Sequence, residues 1–186
     1  MTRLLVIVDI QNDYFPGGAY PLVGTEAAAD RASALLAYFR ESGEPVVHVQ
    51  HVWDAPDATF MRPGTHGVEI NDAVAPLADE PVVLKGSPNS FLGTDLEQRV
   101  RDAAVDDVVI VGMMTSMCVD STVRAAADLG FAVTVASDAC AAPDLEFGGT
   151  VIPGDVVHAA FLAALADSFA TVTTVDELIQ HAHAEA

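Results

Sequence analysis

Three side chains that could act together on a carbonyl group stand in separate stretches: Asp9 in VIVDIQNDYF, Lys85 in VVLKGSPNSF and Cys118 in VIVGMMTSMCVDST. A thiol becomes a nucleophile once it loses its proton. A carboxylate can take that proton and later return it to a departing amine. Cys118 is expected to open a helix, where free amides and the helix dipole would lower its pKa, and an ammonium from Lys85 would lower it further. The preceding turn, GMMTSMC, would bring backbone N–H groups towards a developing oxyanion, at about 2.7–4 kcal/mol per donor. Each residue also has an ordinary structural explanation: a turn for Asp9, a snorkelling charge for Lys85, core packing for Cys118. What favours chemistry is where the elements place them.

All three follow short apolar runs that read as strands. Leu4 to Val8 is too short for a helix and rich in β-branched residues, as suits a strand covered on both faces. Further strands are expected at Pro45–Val52, Pro81–Leu84, Val108–Val111, Ala132–Ala136 and Ala170–Thr173. Helices are expected at Thr25–Ser42, with Thr25 as N-cap and Gly43 as stop, and at Thr94–Ala103, Cys118–Leu129 and Gly154–Phe169. A last helix follows Thr174, and the pairs Thr94/Glu97 and Thr174/Glu177 read as capping boxes. Such alternation implies an α/β fold, a doubly wound six-stranded parallel sheet with helices on both faces. In such sheets ligands bind at the carboxyl ends of the strands, which is where Asp9, Lys85 and Cys118 fall. The stretches Trp53–Glu80 and Ser137–Pro153 fit no element, and loops of that length are expected to frame a pocket.

Composition narrows the function classes. At 186 residues the chain fits a single domain spanning 1–186, and 51% hydrophobic with only 6% aromatic residues suits an aliphatic core. A net charge of −19 disfavours nucleic acid and anionic lipid as partners. No apolar run approaches the roughly 20 residues of a membrane span, and no secretory leader is recognisable, so a cytoplasmic location is expected. Two cysteines, Cys118 and Cys140, provide no disulfide framework. The single lysine is Lys85, against seven arginines.

At these motifs the chain resembles the isochorismatase-like cysteine hydrolases, which include nicotinamidase, N-carbamoylsarcosine amidase and ureidoacrylate amidohydrolase; the likeness runs from about Arg3 to Ile179. The resemblance implies a catalytic triad of Asp9, Lys85 and Cys118. It also implies a cis peptide between Met113 and Met114, and an oxyanion hole from the amides of Met114 and Cys118. No cofactor is implied, and a homo-oligomer, dimer or tetramer, is. Nicotinamidases carry an Asp-x-His metal pair after the second strand. Here those positions are His51 and Trp53, while His48 and His51, three apart on a strand, face opposite ways, so no metal site is expected.

Phe15, Trp53 and Phe91 follow the first three strands and are candidate pocket walls, and Arg62 could meet a substrate carboxylate. Gln11 and Asn12 are expected to hold the first loop, Cys140 to be buried, and His158 to be a hydrogen-bonded core histidine. His66 lies in the long loop, and His181 and His183 are expected in solvent. The reading is a hydrolase of a small amide, ureido or imide substrate through an acyl-enzyme. Two rivals stand beside it: an isochorismatase-type vinyl ether hydrolase, which needs no cysteine, and a non-enzymatic thiol redox sensor, which needs no Asp9. A nucleotide-binding module is weaker, because neither glycine-rich phosphate motif occurs.

Overall fold

The computed structural model describes residues 2–185, with side chains as far as His181; His183, expected in solvent, lies outside the described residues. Six parallel strands form one sheet in the order β3-β2-β1-β4-β5-β8: β1 (Arg3–Val8), β2 (Val46–His51), β3 (Val82–Lys85), β4 (Asp107–Met113), β5 (Val133–Ala141) and β8 (Thr171–Thr173). Leu5 and Ile7 of β1 point to the face covered by α1 (Thr25–Ser42) and α5 (Val175–Glu185). Leu4, Val6 and Val8 point to the face covered by α2 (Leu96–Ala103), α3 (Asp120–Asp128) and α4 (Gly154–Ser168). This period of two, apolar on both sides, explains why the central strands read as unbroken hydrophobic runs. From β1 the chain winds outwards to β2 and β3, then returns to β4 and winds the other way. The crevice between the carboxyl ends of β1 and β4 is therefore the topological switch point.

Two close details shape that crevice. Gly112 pairs with Val8 at φ +135°, and a Cβ there would overlap the Val8 carbonyl oxygen, so the two strands approach this closely only with glycine. Asp9 then leaves β1 at φ 52°, a left-handed conformation uncommon for a side-chain-bearing residue.

Several expectations need correction. Ser137–Pro153 is not a free loop: β5 continues through Ala141, and β6 (Leu145–Phe147) pairs with β7 (Thr150–Ile152) as a hairpin. Its Gly148 and Gly149 have φ +60° and +78°, the backbone a tight hairpin turn needs. The polar residues that looked loop-like in β5 find tertiary partners: Ser137 donates to the Thr173 carbonyl at 2.8 Å, and Asp138 accepts from the Val175 amide at 2.9 Å. The Thr94/Glu97 box does not form. Thr94 donates its hydroxyl to the Ser90 carbonyl at 2.6 Å, Glu97 pairs with Arg101, and α2 begins two residues later. The Thr174/Glu177 box does form, with amide contacts of 3.3 and 3.1 Å. Gly24, at φ 72°, caps α1 in place of Thr25, whose hydroxyl instead donates to the Tyr14 carbonyl at 2.9 Å. Among the described residues, no helix is long and apolar enough to cross a membrane.

Candidate active site

The switch-point crevice holds a fully buried ion pair. Lys85, the last residue of β3, places its ammonium 2.7 Å from Asp9 Oδ2, and neither side chain reaches solvent. The other two faces of the ammonium are also occupied. It donates to the Ser87 carbonyl at 2.9 Å and to His51 Nδ1 at 3.1 Å, so all three donors are engaged. Because Nδ1 accepts, the neutral imidazole carries its proton on Nε2. Burial and the Lys85 charge hold His51 neutral, lowering its pKa to about 4.

Cys118 completes the group from the far side of the switch point. A π-helical turn, Thr115–Val119, joins β4 to α3, closed by the Val119 amide donating to the Met114 carbonyl at 3.1 Å. This turn swings the thiol into the crevice, within hydrogen-bonding reach of Asp9 and Lys85. One ligand atom each from Asp9, His51 and Cys118 lie within 4.8 Å of one another. The Met113–Met114 peptide before the turn is cis.

The electrostatics correct the expected thiolate. Burial pushes the Cys118 thiol pKa up, the Asp9 carboxylate pushes it further, and Lys85 only partly opposes them because its charge is matched by Asp9. These influences favour the protonated thiol over the thiolate at rest. Burial also raises Asp9 above the usual carboxylate range, against the pull of Lys85. Apart from the ion pair, no fully formed hydrogen bond occupies either Asp9 oxygen, which leaves the carboxylate able to receive the thiol proton.

Above the thiol is a cavity of about 310 Å³. Cys118 and Met114 form its base, Tyr14, Trp53 and Phe60 its aromatic wall, and His51, Gly86, Pro88 and Met117 complete the lining. Trp53 and Phe60 pack edge to face with ring centres 5.4 Å apart. The loop that carries them is tied down by the segment after β1. Gln11 exchanges bonds with the His51 backbone at 2.8 and 2.9 Å and donates to the Val68 carbonyl at 2.6 Å. Asn12 donates to the His66 carbonyl at 3.1 Å, and Asp13 accepts from the Met61 amide at 2.6 Å. Gln11 and Asn12 thus hold the loop, and the loop supplies the wall.

Of the four residues expected in the pocket, Trp53 lines this cavity and three do not. Phe15 packs half-buried against the α1 face, Phe91 stacks on Phe131 beneath the sheet, and Arg62 sits exposed in a turn where its carbonyl accepts from Thr65. Tyr14, Phe60, Met117, Pro88 and His51 had not been singled out as walls. Tyr14 lay inside a motif already recognised, whereas nothing local distinguishes Phe60 or Met117. Cys140 is buried, its thiol pushed up to about 12, and His158 Nδ1 lies 2.9 Å from the Thr115 hydroxyl. His66 is exposed and paired with Glu69, and His181 is exposed. A metal pair of the Asp-x-His type does not fit here, since Trp53 offers no ligand atom and His51 Nδ1 is spent on Lys85. The Asp9, His51 and Cys118 grouping suits a cation poorly as well, because the ammonium already lies against Asp9 and His51.

The chain matches the isochorismatase domain over residues 3–177. It belongs to the isochorismatase family. Among curated relatives, the isochorismatase family protein YddQ of Bacillus subtilis is 44% identical over 180 residues, covering 97% of this chain and 100% of the relative. The solved structure of an isochorismatase hydrolase relative from Oleispira antarctica superposes with a TM-score of 0.92 at 50% identity, covering 96% of each chain. Maleamate amidohydrolase of Pseudomonas putida is 32% identical over 145 residues, covering 70% of this chain and 68% of the relative. The protein is accordingly an isochorismatase-family hydrolase with amidohydrolase relatives, a class that cleaves C–N bonds.

Proposed function

We propose that this hydrolase cleaves a small amide, ureido or imide substrate through a thioester on Cys118. Asp9 takes the thiol proton as sulfur attacks the carbonyl carbon, and the amides of Met114 and Cys118 receive the oxyanion. The intermediate collapses with rupture of the C–N bond, and Asp9 returns the proton to the leaving nitrogen. Water then attacks the thioester, releasing the acid and restoring the thiol, with Asp9 again carrying the proton. Lys85 opposes the upward pull of burial on Asp9 within the dry crevice and steadies the transient thiolate.

The observation that carries this reading is the buried Asp9–Lys85 pair set beside a protonated thiol at the base of a cavity. A redox sensor would need an exposed, acidified thiol, whereas Cys118 is only 3% exposed and its pKa is raised. The test is a screen of small amides, ureides and lactams for ammonia or acid release, with Cys118→Ala as partner variant. Loss of about ten-thousand-fold or more in kcat/KM is expected, with an acyl mass increment on Cys118 in the wild type. Amide hydrolysis that survives Cys118→Ala would remove the acyl-enzyme mechanism, whereas a vinyl ether cleaved equally by both proteins would favour ether cleavage.

A further inference from the structure

The charge arrangement around the cavity says more than that an amide is cleaved. Resting on the amide-hydrolase reading above, we infer that the acyl group this site accepts is uncharged and apolar, and that acyl groups bearing a carboxylate are refused.

A carboxylate entering the cavity would need a cation or several free N–H donors to replace its water. Lys85 cannot serve. Its ammonium is wholly buried and its three donors are already committed to Asp9, Ser87 and His51. Arg62, the one other cation on the surrounding loop, is exposed and absent from the lining. The charged groups that are near have the wrong sign. Asp9 lies behind the thiol, and the loop carrying Trp53 and Phe60 bears exposed Asp54 and Asp57, within a chain of net charge −19.

The walls instead match a hydrocarbon or aromatic acyl group. Tyr14, Trp53, Phe60, Met114 and Met117 surround the space above sulfur. The imidazole of His51 adds one uncharged donor: with Nδ1 accepting from Lys85, its Nε2–H has no acceptor among the described residues. That donor suits a carbonyl or ether oxygen, and a single neutral N–H does not replace the hydration of a carboxylate.

The experiment compares amides of matched shape with the wild-type protein: benzamide and pentanamide against maleamate and glutaramate. The uncharged pair should exceed the two carboxylate-bearing amides by roughly 100-fold in kcat/KM. Met117→Arg, which sets a guanidinium in the wall, should narrow the pentanamide-to-glutaramate ratio by roughly tenfold or more. Because that variant could fail to fold, a binding readout on the wild type stands beside it. Pentanamide should slow alkylation of Cys118 by iodoacetamide at concentrations where glutarate does not. Faster cleavage of glutaramate or maleamate overturns the substrate class and leaves the amide-hydrolase reading intact. Failure to cleave any amide removes that reading, and the alkylation arm then judges the pocket by itself: equal or better protection by glutarate overturns the inference.

Discussion

The two ends of the sheet carry cavities of opposite character. At the amino end a cleft of about 600 Å³ runs past Arg40, Glu44, Glu80 and Arg99, nearly twice the volume of the cavity above Cys118. Its central charges are satisfied: Glu80 accepts from Arg40 at 2.8 and 2.7 Å, from the Leu77 amide at 2.8 Å, and lies 2.9 Å from His48 Nε2. Those partners, Arg40 foremost, hold the Glu80 carboxyl at about 2. At the carboxyl end the smaller cavity has a thiol at its base, with the buried ion pair behind it. Volume therefore does not mark the chemistry; an uncommitted nucleophile beside a buried base does.

The comparison is broken most severely at the carboxyl end. Asp9→Asn should lower kcat/KM by about a thousandfold or more while leaving the fold intact, measured as steady-state hydrolysis alongside circular dichroism. Lys85→Met should cost about 3–5 kcal/mol in denaturant unfolding, because it strands the Asp9 charge in a dry crevice. Adding Asp9→Asn to Lys85→Met should recover much of that stability and none of the activity. If the double variant is as unstable as the single, the pair is not the source of the loss.

At the amino end the signature is the reverse. Glu80→Gln should lower stability by about 1–3 kcal/mol with kcat/KM unchanged. Because the folded-state pKa of Glu80 is depressed from 4.5 to about 2, its contribution is complete above pH 4.5 and is lost as pH falls towards 2. The stability gap between wild type and Glu80→Gln, followed by chemical denaturation across that window, should shrink with acid. His51, lowered from 6.5 to about 4, also costs stability as pH falls from 6.5 to 4, since only the unfolded chain gains its proton there. Smallest of all, Cys140→Ala should cost about 1 kcal/mol and leave activity alone, which separates the inert buried thiol from Cys118.

Much of this was legible along the chain because the responsible physics is local. The central strands announce themselves as β-branched runs covered on both faces, α1 runs from Thr25 to Ser42 as its pattern indicates, and Gly43 ends it in the left-handed conformation. The Gly148-Gly149 turn between LEF and TVI, the two strands of the β6–β7 hairpin, is also a local signal. Other features were not local. The extension of β5 depends on Thr173 and Val175 meeting Ser137 and Asp138, and Thr94 accepts from the Leu96 amide and donates to the Ser90 carbonyl while Glu97 turns to Arg101 in place of closing the box.

Residue type and spacing alone determined that the sheet is parallel and doubly wound, and that Asp9, Lys85 and Cys118 stand at strand ends, because alternation and periodicity act over a few residues. Only the tertiary structure decided that Lys85 is spent on Asp9, Ser87 and His51, that the thiol rests protonated, and that Phe60 and Met117 rather than Phe91 and Arg62 wall the cavity. Burial and charge matching depend on residues far apart in the chain, and their energies exist only once water has been excluded from between them.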